Sequence, residues 1–181
     1  RVDIPVYRGA DRPLIRTQYT AEYVHGDSGI DGAEIPAATI TAQPEHGVQH
    51  LIDTCIAAPD GSVTLCAIGP LTNVALAIAT EPRIVGKINE IVWMGGAFGE
   101  PGNTQGVAEF NAYVDPHAVQ IVFAAGAPMT IVPLDVTHQV LLGPDGIARL
   151  RAAGTPVTAA CAGMSSFYAS HDEAKYGFSG A

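Results

Sequence analysis

Short, almost entirely apolar segments alternate along this chain with segments whose apolar residues recur at helical spacing. The apolar segments cover residues 63–68, 91–94 and 129–132, and each ends at a glycine or proline. Helix-like stretches lie between them, and the last predicted helix runs from about Pro156 to Tyr176. This alternation is typical of α/β proteins in which helices flank an open, mostly parallel sheet and the strands are buried on both faces. The sequence therefore predicts that fold class, as a single domain over residues 1–181.

Start and stop signals place two further helices. One helical stretch opens at Gln43-Pro44-Glu45, continues as an apolar stripe, and stops at Pro59-Asp60-Gly61. A second helix opens at Asp115-Pro116, where the aspartate is an N-cap and the proline occupies the first turn. Both helices are expected to cover the predicted sheet.

Charge and cysteine usage exclude several classes of protein. The chain has 9 basic and 18 acidic residues, which gives a formal charge of −9, and a grip on nucleic acid backbones would need clustered Lys and Arg. No apolar run reaches the roughly 18 residues of a membrane span. The three cysteines form no CxxC pair, which favours a reducing compartment. We therefore expect a cytoplasmic protein that binds neither nucleic acid nor membrane.

Polar residues follow each predicted strand, where ligands bind in open parallel sheets. Glu109 and Asn111 alternate around Phe110 and therefore point to one side of an extended segment, and Asn103 lies shortly before them. A carboxylate and two amides suit a polyol such as a ribose, because each can bind a hydroxyl group. A polar loop whose amides bond the nearby backbone is an equally good interpretation.

A second dense polar segment, residues 24–32, has the sequence VHGDSGIDG. Three glycines and two aspartates predict a mobile or sharply turned loop, either a lid over a site or a surface turn. A single His25 is more often structural than catalytic. His46 and His50 are four residues apart, a spacing that can bind a metal, but without an HExxH motif a solvated helix face is the favoured interpretation.

Seven motifs in a fixed order resemble the inosine–uridine-preferring nucleoside hydrolase family. They are residues 24–32 (VHGDSGIDG), 68–73 (IGPLTN), 94–97 (MGGA), 102–103 (GN), 108–111 (AEFN), 115–116 (DP) and 134–138 (LDVTH). The resemblance covers essentially the whole chain and implies the Rossmann-like fold of that family. It also implies a calcium-dependent N-ribohydrolase that splits purine or pyrimidine nucleosides into ribose and free base. Relatives are commonly dimers or tetramers, so the resemblance implies a homo-oligomer.

The resemblance also assigns residues. It gives ribose binding to Asn103, Glu109 and Asn111, and Ca²⁺ binding to the backbone carbonyl of Ile68. Base-side positions fall on His25, Tyr176, Asp172 and Tyr168. Asp135 and Thr137 lie in a family motif, where we expect them to act as structural supports.

Two family motifs are absent from this sequence. One is an aspartate cluster of the form DxDxxxDD after the first strand, and the other is a His-Asp pair after the last helix. We expect both outside residues 1–181, which makes the chain a central fragment that holds no catalytic residue of its own and is inactive alone. The alternative is a complete, non-catalytic module that binds a ribosyl ligand. A nucleoside phosphorylase is disfavoured, because no basic cluster is present to hold phosphate.

Overall fold

The computed structural model describes the backbone of residues 4–176 and the side chains of residues 4–171. The chain packs as two compact units. Unit 1 comprises Arg1–Gln18 and Ile40–Asp135, and unit 2 comprises Tyr19–Thr39 and Val136–Ala181. The single domain expected from the sequence stays a prediction.

Unit 1 contains the parallel sheet. Its strands are β3 (Val63–Ala67), β4 (Ile88–Met94) and β5 (Met129–Val132), in the order β3-β4-β5. All pairs are parallel, with Ala67 beside Trp93 and Trp93 beside Ile131. This is the open α/β arrangement that the alternating sequence pattern predicted, and the prediction is confirmed.

The helices of unit 1 follow these strands. They are α2 (Gly47–Ala57), α3 (Thr72–Thr80), a 3₁₀ helix (Pro82–Lys87), α4 (Phe110–Val114) and α5 (Pro116–Ala124). One hydrophobic core joins α2, α3, α5 and β4, with Ile91 and Trp93 on the same face of β4. The expectation of strands buried on both faces is wrong for the described chain. Thr64 and Cys66 of β3 are exposed, because these helices form one core on the side of Ile91 and Trp93.

A separate pair of short parallel strands, β1 (Tyr7–Arg8) and β2 (Gln43–His46), also belongs to unit 1. The sequence predicted that a helix opens at Gln43, whereas the helix α2 begins four residues later. The backbone N–H of Gln43 donates to the Val6 carbonyl at 2.8 Å, and this non-local pairing holds the Gln-Pro-Glu segment extended.

Unit 2 is helical in its described part. It contains α1 (Glu22–His25), α7 (Pro144–Ala152) and α8 (Pro156–Tyr176), and the short α6 (Leu134–Thr137) spans the boundary with unit 1. The bounds of α8 agree with the predicted last helix. Arg151 of α7 donates to the Ser166 hydroxyl of α8 at 2.7 Å. None of the helices within residues 4–176 is both long and apolar enough to cross a bilayer.

Candidate functional site

A tight hairpin shapes the segment between β4 and α4. Thr104 and Ala108 exchange backbone hydrogen bonds of 2.9 and 3.1 Å. Gln105 and Gly106 lie between them with φ of 51° and 79°. Three residues connect the bridge partners, and the positive φ at two of them closes the turn tightly. The chain therefore reverses here and returns toward the end of β4.

The hairpin brings Asn103 close to the start of α4. The Asn103 Oδ1 atom accepts a hydrogen bond from the Phe110 backbone N–H at 2.8 Å. A Cβ on Gly102 would lie 2.2 Å from the Ala108 backbone nitrogen, so only glycine allows the two strands of the hairpin this close. In the Gly102-Asn103 motif, the glycine thus permits a close backbone contact and the asparagine supplies a side-chain amide.

Glu109 is a buried capping residue. Its side chain caps α4 by accepting from the backbone N–H groups of Asn111 at 2.8 Å and Ala112 at 3.1 Å. It also accepts from Gly96 N–H at 2.9 Å, which ties the turn after β4 to the helix. The residue is 2% exposed. A carboxylate that three backbone donors hold in this way is fixed in position.

Asn111 completes the group. Its Nδ2 atom donates to the Met94 carbonyl at 3.0 Å and lies 3.3 Å from the Met94 sulfur. The structure therefore brings together Asn103, Glu109 and Asn111, which we call the clamp, at the carboxyl end of β4. The side chain of each clamp residue forms a hydrogen bond with a backbone group, as expected if this segment is a polar loop whose side chains bond the nearby backbone. Ribose binding by the same residues stays a prediction.

Asp135 holds the loop that leads into the hairpin. Its carboxylate accepts from the backbone N–H groups of Phe98, Gly99 and Glu100 at 2.9, 2.6 and 3.1 Å. The hydrogen bonds from Phe98 and Gly99 are the main reason that the pKa of Asp135 is lowered. This is the supporting role expected for Asp135.

The end of β3 carries Ile68, whose side chain is 82% exposed. The Trp93 indole N–H donates to the Gly69 carbonyl at 3.1 Å and so fixes the Gly69–Pro70 peptide, one residue beyond Ile68. A Cβ on Gly95 would lie 2.1 Å from the Trp93 ring, so glycine at 95 is needed for the indole to occupy this place. The assignment of the Ile68 carbonyl as a metal ligand stays a prediction.

An irregular segment that the sequence analysis did not single out also lies against this part of unit 1. We call residues 9–16 the strap. The backbone N–H of Ala10 donates to Asn73 Oδ1 at 2.8 Å, and the Arg16 guanidinium lies 4.1 Å over the Tyr113 ring and bonds the Tyr113 carbonyl. A Cβ on Gly9 would meet the Asn73 amide at 2.6 Å. No pattern in the sequence signals these contacts.

The strap also meets a fully buried carboxylate. Asp115 accepts from Leu14 N–H at 2.9 Å, from the Thr72 hydroxyl at 2.8 Å and from Ala118 N–H at 3.0 Å. Thr72 begins α3 and Ala118 lies in the first turn of α5, so the positive ends of two helix dipoles face this anion. The Asp-Pro signal correctly predicted the N-cap but not the link to the strap.

His25 and its loop lie in unit 2. The His25 ring is 5.5 Å from the Tyr168 ring at an interplanar angle of 33°. The loop is sharply turned, with positive φ at Gly26, Gly29 and Gly32. The side chains of Asp172 and Tyr176, also assigned to the base side, lie outside the described residues.

His46 and His50 serve local structure. His46 Nδ1 accepts from the Val48 N–H at 3.2 Å and caps α2. The His50 ring stacks on Tyr7 at 3.7 Å, and its Nδ1 atom lies 3.3 Å from the Glu45 carboxylate. Within the described side chains, no three His, Cys, Asp or Glu residues come together to hold a metal ion.

The chain resembles known proteins over its whole length. A family model described as "Inosine-uridine preferring nucleoside hydrolase" matches residues 1–181. The chain is 44% identical to an uncharacterized protein of Schizosaccharomyces pombe over an alignment of 183 positions, which covers 99% of this chain and 58% of that protein. It is 41% identical to the pyrimidine-specific ribonucleoside hydrolase RihB of Escherichia coli O157:H7 over 179 residues, 99% of this chain and 56% of RihB.

A solved structure gives the same result for the fold. The purine-preferring ribonucleoside hydrolase from Gardnerella vaginalis superposes with a TM-score of 0.91 at 32% identity, over 99% of this chain and 58% of that one. The predicted fold class is thereby confirmed. The chain spans 56–58% of the length of these relatives.

Proposed function

The chain belongs to the inosine-uridine preferring nucleoside hydrolase family, and on that premise we propose that the whole protein hydrolyses the N-glycosidic bond of ribonucleosides. Its products are ribose and a free purine or pyrimidine base. The observation that carries this proposal is the clamp, in which two amides and a carboxylate meet at the carboxyl end of a parallel strand. Ligands of open α/β sheets bind at that edge.

The clamp has the chemistry to orient a sugar. Asn111 commits its Nδ2 atom to Met94, so its Oδ1 atom is the end of the amide that can accept a hydrogen bond from a ribose hydroxyl. Glu109 carries up to four acceptor sites, of which three backbone donors occupy three. Hydroxyl contacts that strengthen as the sugar approaches an oxocarbenium-like transition state would contribute to the rate.

We assign the base side of the substrate to His25 in unit 2, together with Asp172 and Tyr176. The support for His25 is its place beside an aromatic side chain of α8. No general base or general acid is assigned within residues 1–181, and the chain by itself is proposed to be inactive.

The family is metal-dependent, and we propose Ca²⁺ as the ion. The described side chains do not make up a metal site on their own, since no three potential ligands of this kind converge. The Ile68 carbonyl is proposed as one ligand, because hard cations accept backbone carbonyl oxygens. The other ligands would come from outside residues 4–171. When bound, such an ion would help to generate the attacking hydroxide.

The proposal also covers the cellular location, the binding partner and the oligomeric state of the protein. All three cysteines are unpaired, and Cys66 is exposed, which supports a reducing, cytoplasmic location. The partner is a small nucleoside, and nucleic acid is not expected at a chain of charge −9. A homo-oligomer, dimer or tetramer, is proposed for the full-length protein.

The experiment is ribose release from inosine and from uridine by the full-length protein, in buffer without phosphate, with and without a calcium chelator. Release without phosphate that the chelator abolishes supports a calcium-dependent hydrolase. Release that the chelator leaves unchanged retains the hydrolase and overturns the calcium assignment. The 181-residue chain, assayed in parallel, is expected to release none.

A folded full-length protein that releases no ribose from either nucleoside would overturn the hydrolase. Equilibrium binding of ribose or inosine to that protein would then test the alternative, a non-catalytic module that binds a ribosyl ligand. An Asn111→Ala variant provides the matched control for either activity, because it removes one clamp amide and leaves the Glu109 cap in place.

A further inference from the structure

We propose that Arg16 of the strap is a positioning residue for the clamp, and that it acts through the helix α4 on Asn111. The inference rests on the proposed function, since it explains how Asn111 is held where a ribose would bind. The strap, α3 and α4 all belong to unit 1, so every contact in the argument lies within one compact unit. No sequence pattern singled out Arg16.

The clamp helix α4 is too short to hold its own position. It has five residues, Phe110–Val114, and a helix of this length is not stable in water without tertiary contacts. Its first end is held, because Glu109 caps it and also accepts from Gly96 after β4. The Tyr113 N–H closes one turn on the Glu109 carbonyl at 2.8 Å. The direction of Asn111 therefore depends on what holds the other end of the helix.

Arg16 holds that other end. Its guanidinium donates to the Tyr113 carbonyl and lies 4.1 Å from the centroid of the Tyr113 ring. The last carbonyls of a helix have no partner within the helix and carry the negative end of its dipole, so a cation is a favoured partner there. The cation–π contact fixes the ring of the same residue. One side chain thus binds both the backbone and the side chain of Tyr113, two residues after Asn111.

The strap can act as a support because a buried carboxylate fixes it beside α4. Asp115 follows α4 directly, is fully buried, and accepts from the Leu14 N–H at 2.9 Å. The same carboxylate accepts from the Thr72 hydroxyl at 2.8 Å and from the Ala118 N–H at 3.0 Å. Moving the strap away would take one donor from a buried charge, which is costly.

The strap is also attached to the helix that follows β3. The Ala10 N–H donates to Asn73 Oδ1 at 2.8 Å, and Asn73 lies in the first turn of α3. A Cβ on Gly9 would lie 2.6 Å from the same oxygen, so the strap backbone runs directly against this amide. The strap therefore joins the helix after β3 to the clamp helix after β4. Ligands of parallel sheets bind beside these strand ends.

The decisive experiment is a double-mutant cycle in the full-length protein with Arg16→Met, Asn111→Ala and the combined variant. Methionine keeps an apolar stem and removes the cation. If Arg16 acts through Asn111, Arg16→Met lowers kcat/KM for inosine by about tenfold, and the combined variant is no worse than Asn111→Ala alone. Losses that multiply in the combined variant would overturn the proposal, because they would show that the two residues act independently.

Two further variants separate positioning from a general loss of structure. Arg16→Lys keeps a cation that can donate to the Tyr113 carbonyl, so its kcat/KM should return to within about threefold of the wild type. Arg12→Ala is the matched control, because it removes an exposed arginine from the same strap, and it should stay within about twofold. A rate as low in Arg16→Lys as in Arg16→Met would contradict a role for the cation.

A second measurement does not depend on activity. Arg16→Met is expected to raise the amide exchange rates of residues 112–114 by about tenfold, because α4 loses the contact at its second end. Arg12→Ala should leave these rates unchanged. Should the wild-type protein release no ribose, the proposed function fails, and amide exchange alone then decides whether Arg16 holds α4. Unchanged exchange in Arg16→Met would overturn the proposal whatever the activity.

Discussion

The clamp in unit 1 and the His25 loop in unit 2 are held in place by different forces. In the clamp, Glu109 is 2% exposed and accepts three backbone hydrogen bonds, and the neighbouring Asp115 is fully buried with three donors of its own. In unit 2, no residue of α1 is buried, and Tyr23 is 47% exposed. There the loop packs through a close backbone contact between Gly32 and Gly163 and through the contact between the His25 and Tyr168 rings.

This difference has a consequence for tolerance to change. Removing an acceptor from the clamp leaves buried N–H groups without a partner, which is expensive. A substitution in the clamp should therefore cost more stability than a substitution near the His25 loop, where no residue of α1 is buried.

The largest expected effect is on kcat/KM, and the clamp and the His25 loop should differ in how their substitutions affect inosine and uridine. In the full-length protein, Asn111→Ala should lower kcat/KM for inosine and for uridine by a similar factor, about 30- to 900-fold for a loss of about 2–4 kcal/mol. Both substrates carry the same ribose. Tyr168→Ala should instead change the ratio between the two. Asn89→Ala, an exposed asparagine on β4, is the control. An unchanged rate in Asn111→Ala would remove this residue from the site.

Stability should separate the two regions as well. Glu109→Ala should lower the free energy of unfolding by about 3 kcal/mol, because Gly96, Asn111 and Ala112 lose the acceptor of their N–H groups. Tyr168→Ala should lower it by only about 1 kcal/mol. Urea denaturation of both variants measures the difference, with the exposed Glu34→Ala as a control. Equal losses would mean that the clamp and the loop are held equally firmly.

A smaller effect is expected at the edge of the clamp. Trp93→Phe keeps an aromatic ring against Phe123, but it removes the N–H that bonds the Gly69 carbonyl and part of a buried ring system. The expected loss of stability is about 2 kcal/mol, from one hydrogen bond and the smaller ring in the core. Urea denaturation against the wild type checks it. An unchanged stability would show that neither the hydrogen bond nor the size of the ring keeps this edge in place.

Local patterns predicted much of this structure. Apolar runs located β3, β4 and β5, and α8 has the predicted bounds. The clamp residues were identified from the resemblance, and their alternation around Phe110 placed Glu109 and Asn111 on one side. That alternation assumed an extended segment, whereas Phe110 and Asn111 lie in α4 and Glu109 is its cap. Capping by Glu109 requires a turn of helix that two-residue periodicity does not reveal.

Contacts between distant residues were not predictable. Gln43 pairs with the β1 region some 36 positions earlier, and Leu14 reaches Asp115 across 101 positions. The strap has no periodicity at all, so nothing local indicates where it lies. The Gly32–Gly163 contact joins two glycines that each look like ordinary turn or helix residues in the sequence. In each case the partner, rather than the segment, determines the conformation.

The smallest effect is expected at Asp135, which lies on the surface and supports the loop before the clamp. Backbone N–H groups of Phe98 and Gly99 lower its pKa, so the ionised form stabilises the folded state above the unfolded pKa of about 4. This contribution disappears as pH falls through the lower pKa of the folded state. Asp135→Asn should therefore destabilise the protein slightly at pH 7, and the difference from the wild type should shrink below about pH 4. Urea denaturation across that range, with the exposed Asp11→Asn as control, measures it. A difference that stays constant with pH would mean that the shape of the side chain, and not its charge, holds the loop.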